Sequence, residues 1–245
     1  IGLRSVVVCL EDSVLENEVA QAKQTFANFV ANHHKPGECR VYVRPRNIEM
    51  LTWMLTLPNI ESIHGFVLPK VTMENLGQWL ASNLHSDHCI MPTIEGIEAF
   101  DIQSLQLIRH QLTPFIDRVD AIRIGGNDIL NILGTRRSKF RTAYDGPLGH
   151  VIRNFVSAFI PHGFQVSSPV FEHFSEKELL RQEVEQDLEY GLLTKTAIHP
   201  EQVKQIHELY KPTQSEIDEA KAILDVSAKA VFGRNGSMCE PATHR

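Results

Sequence analysis

Residues 88–96 read HCIMPTIEG and residues 119–130 read VDAIRIGGNDIL, with a helical apolar spacing over residues 97–112 between them. Two short apolar runs, 89–91 and 121–124, each end in a turn that carries one carboxylate, Glu95 and Asp128. A strand–helix–strand unit requires parallel strands, so both carboxylates leave the same end of one sheet. Two acids from neighbouring strand ends suit a hard divalent cation such as Mg²⁺. The plainer reading is that each only caps the helix that follows it.

Working outward, the same alternation covers the chain. Residues 5–10 (SVVVCL) read as a strand buried on both faces. Ser13 and Glu16 form a capping-box pattern before a helix whose apolar stripe is Val19, Ala22, Phe26 and Val30. Pro36-Gly37 ends that helix. A second strand over 39–43 is followed by a short helix over 49–57, and a third strand over 65–68 by a helix over 74–84 with Leu76, Leu80 and Leu84 on one side. Beyond the opening pair of strands, Tyr144-Asp145-Gly146-Pro147 is a turn. An amphipathic helix through Val151, Ile152, Phe155 and Phe159 closes at Pro161-His162-Gly163. A sixth strand over 164–167, a helix over 176–190, a seventh strand over 196–198, a helix opening at Pro200 and a last helix over 214–232 follow. Residues 233–245 read as a polar tail or lid.

Seven strand–helix units without a linker-like break predict one domain over residues 1–232. The alternation admits a doubly wound open sheet or a closed (β/α)₈ TIM barrel. Two features favour the barrel: no Gly-x-Gly-x-x-Gly turn is present, and polar or charged groups follow nearly every strand. The barrel reading leaves its first strand to lie upstream of Ile1.

The chain has 245 residues, and a 42% hydrophobic and 22% charged composition is that of a globular domain. A net charge of −6 argues against nucleic-acid partners and a basic membrane surface. No apolar run is long enough to span a bilayer, and no signal peptide is read, although the chain opens at Ile1 without a methionine. The four cysteines, Cys9, Cys39, Cys89 and Cys239, show no paired spacing, which fits a reduced, cytoplasmic protein.

Strand ends supply Glu11, Asp12, Arg44, Arg46, Lys70, Glu95, Asp128 and His199. Together they offer a metal-binding pair, an anion clamp and acid/base groups. Each also has a structural alternative. Glu11 and Asp12 precede a helix; Arg44, Arg46 and Lys70 can be solvated; His199 before a proline suits an orienting role better than metal ligation. Gly125-Gly126 permits a tight turn that brings N–H groups near an anion. The basic loop 136–141 (RRSKFR) reads as solvated rather than as a phosphate grip. No nucleophile elbow is present.

The ordered set Leu10-Glu11-Asp12-Ser13-Val14, Val43-Arg44, Leu68-Pro69-Lys70-Val71, Glu95, Gly125/Gly126 with Asp128, and Ala197-Ile198-His199-Pro200-Glu201-Gln202-Val203 resembles the citrate lyase β-subunit-like family of the HpcH/HpaI aldolase group. It spans about residues 5 to 210. PTIEG, AYDGPLG and the terminal ATHR are similar to the carbon–carbon lyases of tellurite-resistance-type operons. The resemblance implies a (β/α)₈ barrel, a homotrimer or hexamer, and Mg²⁺ on Glu95 and Asp128. It also implies Arg44 on the carboxylate of an oxo-acid fragment, with Glu11, Asp12 and Lys70 in the catalytic network and Arg46, Gly125 and Gly126 at the substrate. Four departures stand against the family pattern. Cys9 replaces an aspartate, Gly96 replaces a hydroxyl residue, Arg46 replaces an asparagine, and Ser167-Ser168-Pro169 lacks an aspartate. They weaken the case for a CoA-thioester substrate.

The leading expectation is a Mg²⁺-dependent carbon–carbon lyase acting on an oxo- or hydroxy-acid or its CoA thioester. An acyl-CoA thioester hydrolase on the same metal site and a non-catalytic barrel subunit are the alternatives.

Overall fold

The computed structural model describes residues 3–33, 39–82 and 88–244. The predicted helix stop at Pro36-Gly37 and the apolar position Leu84 lie outside the described residues. The chain forms two compact units, Ile1–Ile206 and His207–Arg245.

The first unit holds β1 (Ser5–Cys9), α1 (Val19–Asn32), β2 (Arg40–Arg44), α2 (Ile48–Met54), β3 (Gly65–Leu68), α3 (Leu76–Ala81) and β4 (Cys89–Ile94). It continues with α4 (Ile102–Leu112), β5 (Ile122–Ile124), α5 (Gly126–Ile132), α6 (Leu148–Phe159), β6 (Val166–Ser168), α7 (Lys177–Glu189) and β7 (Thr194–Lys195), from which α8 (Pro200–Leu209) follows. The seven strands pair in chain order, β1 to β7, and every pairing is parallel. That order is the one a (β/α) barrel makes and a doubly wound sheet does not. No β7–β1 pairing occurs among the described residues. β1 is accordingly half open: Val6 is 38% exposed, against the expectation of a strand buried on both faces.

Strand alternation sorts the side chains into two layers. Ile90 and Ile94 of β4, with Ile122 and Ile124 of β5, pack under the helices beside Leu105, Ile108, Phe155 and Phe159. Cys89, Met91, Thr93 and Arg123 therefore face the barrel interior. The predicted single helix over 97–112 is a 3₁₀ turn (Ile97–Phe100) and then α4. Asp101 breaks it by capping α4, accepting from the Ser104 N–H at 2.9 Å. The Ser13/Glu16 capping box does not form. Ser13 donates to the Cys9 carbonyl, Glu16 is held by Arg46, and Glu18 accepts from the Leu15 N–H instead.

The seventh strand lies earlier than its apolar residues suggested, at Thr194 and Lys195 rather than 196–198. The cause is an ion pair. The Lys195 ammonium is fully buried, 3.0 Å from Glu183, 3.0 Å from Asp187 and 3.1 Å from the Ser168 hydroxyl. Tyr144 donates to Asp187 at 2.6 Å, and Arg137 pairs with Glu183. Arg137 is thus buried within this network, so only part of the 136–141 loop is solvated as the sequence reading had it.

The second unit contains α9 (Gln214–Leu224), the hairpin β8 (Phe232–Arg234) and β9 (Ser237–Cys239), and α10 (Pro241–His244). The last helix ends at Leu224, eight residues short of the predicted 232; Asp225 caps a turn there, its carboxylate accepting from the Ser227 N–H at 2.7 Å. No helix among the described residues is long and apolar enough to cross a membrane.

Breaking the Lys195 network strands buried carboxylates. Lys195→Met is expected to cost about 3–5 kcal/mol of folding stability, read from urea denaturation; a variant as stable as the wild type would remove this network from the forces that set β7.

Candidate active site at the strand ends

The C-terminal ends of β1 to β5 bring Glu11, Asp12, Arg44, Lys70, Glu95 and Asp128 into one electrostatic cluster. Glu95 is its centre. It follows β4 directly and is 4% exposed. Its Oε1 accepts from Arg44 Nη2 at 3.1 Å and from the Lys70 N–H at 2.9 Å. Gly125 makes room for it: a Cβ there would lie 2.3 Å from Glu95 Oε2. That contact, rather than anion binding, is what the first glycine of the pair supplies, because its N–H is taken by the Ile94 carbonyl at 3.2 Å. Gly126 opens α5 against the Pro169 ring, where a Cβ would stand 2.9 Å from Pro169 Cβ.

Arg44 ends β2 and lies between three carboxylates. Its Nε is 2.6 Å from Glu11 and its Nη2 is 3.1 Å from Glu95 and 3.8 Å from Asp12. Lys70 sits in the left-handed region at φ 49°, a strained conformation for a residue with a side chain. The strain aims its N–H at Glu95 and its ammonium at Glu11 (2.8 Å) and Asp12 (3.2 Å). Hydrogen bonding to Glu11, with Asp12 adding to it against a desolvation that opposes, holds the Lys70 ammonium well above the ordinary lysine range. It remains a cation, and a role as a base is closed to it.

Burial raises Glu95 from its ordinary 4.5 to about 7; the charge of Asp128 adds to this, against the opposing Arg44 guanidinium and Lys70 N–H. Asp128 lies in the first turn of α5, and its carboxylate has no hydrogen-bond or ion-pair partner among the described residues. A buried acid that resists ionisation beside a second, unpartnered carboxylate offers oxygen donors to a hard divalent cation.

Two predicted residues lie elsewhere. Arg46 turns toward the β1–α1 connection, with Nη1 3.0 Å from Glu16 and Nη2 bound to the Val14 carbonyl, so it adds no charge to the cluster. His199 stacks on Phe174 with ring centroids 4.4 Å apart, and its Nδ1 accepts from the Glu201 N–H at 3.3 Å, the orienting role favoured from sequence.

Arg123 is not among the strand-end residues that the sequence singles out. It is the middle residue of β5, flanked by core isoleucines, so it points into the barrel, where its Nη2 donates to Thr196 at 3.0 Å. Burial, with the nearby Arg44 charge, lowers it to about 10. No carboxylate pairs with it among the described residues. The signal was present in the Ile122-Arg123-Ile124 alternation, because a charged residue between two core residues of a barrel strand faces the interior.

Comparison with known proteins places the chain in a family. The family model described as "C-C_Bond_Lyase of the TIM-Barrel fold" matches residues 1–245. The L-malyl-CoA/beta-methylmalyl-CoA lyase of Cereibacter sphaeroides is 23% identical over 238 residues, covering 88% of this chain and 74% of that protein. Citrate lyase subunit beta of Escherichia coli is 27% identical over 130 residues, 51% of this chain and 42% of that protein. The structure of CitE from Mycobacterium tuberculosis with magnesium, acetoacetate and coenzyme A superposes with a TM-score of 0.71 at 18% identity, over 96% of this chain and 84% of that one, a likeness of fold. The chain belongs to the C–C bond lyase family of the TIM-barrel fold and is a carbon–carbon lyase.

Proposed function

We propose that this lyase cleaves a carbon–carbon bond in an oxo- or hydroxy-acid, free or as its CoA thioester, with Mg²⁺ held by Glu95 and Asp128. The observation that carries the reading is the pairing of buried Glu95 with partnerless Asp128 at the ends of neighbouring strands, beside Arg44, Lys70 and Arg123. The donor set fits the ion: it is all oxygen, and a divalent charge would offset the burial and the Asp128 charge that oppose ionisation of Glu95. When bound there, Mg²⁺ supplies a Lewis acid that polarises the carbonyl next to the scissile bond.

The chain's own residues supply the rest. Arg44 Nη1 has no partner among the described residues, while Nε and Nη2 hold Glu11 and Glu95, so this free edge receives a substrate carboxylate from a fixed guanidinium. Arg123 offers a second buried cation to the charge that develops on the acid fragment. Asp12 is 61% exposed and touches Lys70, which suits it to take the hydroxyl proton as the bond breaks and to exchange it with solvent. The bonding pair passes into the carbonyl-bearing fragment as an enolate, whose carbon then takes a proton. The relatives' names support the acid class: one is a malyl-CoA lyase and one a citrate lyase subunit.

Calorimetry is expected to find Mg²⁺ binding that oxaloacetate or pyruvate tightens and that Glu95→Gln/Asp128→Asn abolishes. Absence of binding in the wild type would sink the metal site. Arg44→Lys and Arg123→Gln should each weaken oxo-acid binding about 10–100-fold, a loss of roughly 1.4–2.8 kcal/mol, with the metal still bound; unchanged affinity would release that residue from the role.

The protonation of Glu95 fixes a pH dependence. Its folded value, about 7, lies above its ordinary 4.5, so protonation favours the folded state. This contribution is complete below the ordinary value and is lost as pH rises through about 7. Metal-free protein should therefore lose stability between these limits in urea denaturation, and Glu95→Gln should flatten the profile. The same slope in both proteins would assign the titration to another group.

A further inference from the structure

The opposite end of the barrel holds a second convergence of side chains that the lyase chemistry does not use. His64 directly precedes β3, Cys89 opens β4, and Asp120 stands two residues before β5. One ligand atom from each lies within 4.8 Å of the other two. His64 Nε2 is 3.2 Å from Asp120 Oδ2, and the Tyr42 hydroxyl donates to the same oxygen. The Tyr42 ring stands edge-on to the His64 imidazole at 5.1 Å.

The backbone fixes this arrangement. The His64 N–H donates to the Val41 carbonyl at 2.8 Å, the Cys89 N–H to the His64 carbonyl at 3.0 Å, and the Asp120 N–H to the Ile90 carbonyl at 3.1 Å. Gly65 lets β3 and β4 close up here, since a Cβ would come within 2.2 Å of the Cys89 carbonyl oxygen. Three donors are thus tied to three adjacent strand starts, a preorganised set on rigid elements.

We propose that His64, Cys89 and Asp120 bind one Zn²⁺ ion, or a borderline divalent cation of the same preference, at the N-terminal mouth of the barrel. Imidazole nitrogen, thiolate sulfur and carboxylate oxygen are the three donor types of zinc sites, and three protein ligands leave a fourth position for water. A hard ion such as Mg²⁺ is excluded by the sulfur and nitrogen. The ion has a path in, because the His64 and Asp120 side chains are 32% and 26% exposed. Arg40 and Arg118 act electrostatically on Cys89 and offset part of the ligands' negative charge. On binding, the Cys89 thiol would release its proton to solvent, and the ion would take the place that the proton held between the sulfur and Asp120. β4 has six residues, which separates this site from Glu95 by about 20 Å along the strand, so the two sites are occupied independently.

The test uses the full chain and Zn²⁺ titrated against a chromophoric chelator, with Co²⁺ as a spectroscopic probe. One equivalent of Zn²⁺ should bind, and Co²⁺ should give a thiolate-to-metal charge-transfer band. Cys89→Ser should lose the band, and Cys89→Ser and His64→Ala should each weaken Zn²⁺ binding on the order of 100-fold. Glu95→Gln/Asp128→Asn should leave the band intact, which separates this site from the lyase metal. Far-UV circular dichroism confirms that each variant is folded, and Asp120→Asn replaces either one that is not. No stoichiometric Zn²⁺ in the wild type, or equal binding in the folded variants, overturns the site and leaves a hydrogen-bonded hub around Asp120.

Discussion

A buried carboxylate cannot be left alone, and much of the strand-end architecture follows from satisfying Glu95. Its position at the end of β4 puts it out of water, where ionisation is costly unless cations and N–H donors are brought to it. Arg44 and the Lys70 N–H do this from the two preceding strands. Those groups need partners in turn: Glu11 and Asp12 hold Arg44 and Lys70 from the end of β1. Lys70 accepts a left-handed backbone to serve both its contacts, and Gly125 gives up its side chain to leave Glu95 space. One acid thus explains residues on five strand ends. What the network does not neutralise is Asp128, whose carboxylate has no hydrogen-bond or ion-pair partner among the described residues, so the cluster is not a closed salt-bridge knot.

The remainder of the barrel shows how polar groups are divided. Under the helices the strands present apolar side chains, and the Lys195 network is a charged inclusion among them. Its ammonium and carboxylate oxygens are all paired: Lys195 meets Glu183, Asp187 and Ser168, while Tyr144 and Arg137 satisfy the remaining carboxylate oxygens. It joins β6 and β7 to α7, where strands of three and two residues supply little ladder of their own. Inside the barrel, polar residues gather at the two mouths, with Val67 and Met91 between them. The two clusters differ in kind. One is carboxylate and guanidinium chemistry, the other imidazole, thiol and phenol.

Much of this was legible in the sequence. Short apolar runs ending in polar turns located the strands and, through the rule that parallel strands share a direction, gathered Glu11, Asp12, Arg44, Lys70, Glu95 and Asp128 at one end. The third strand lies where its residues placed it, at Gly65–Leu68. Arg46 was placed at the substrate by the resemblance, whereas the turn after β2 sends it to Glu16. The seventh strand was misplaced because the apolar Ala197-Ile198 outweighed a lysine in the reading, and only the carboxylates of α7 make that lysine an interior residue. Arg123 was overlooked inside an apolar run for the same reason.

The sequence by itself determined most of the elements, their parallel order and the mouth at which Glu11, Asp12, Arg44, Lys70, Glu95 and Asp128 emerge, because hydrophobic periodicity and strand direction are local properties of the chain. Only the tertiary structure decided which cation reaches which carboxylate, why burial raises Glu95 above the ordinary carboxylate range, and that His64, Cys89 and Asp120 meet. Those are distances between residues tens of positions apart, and packing alone sets them.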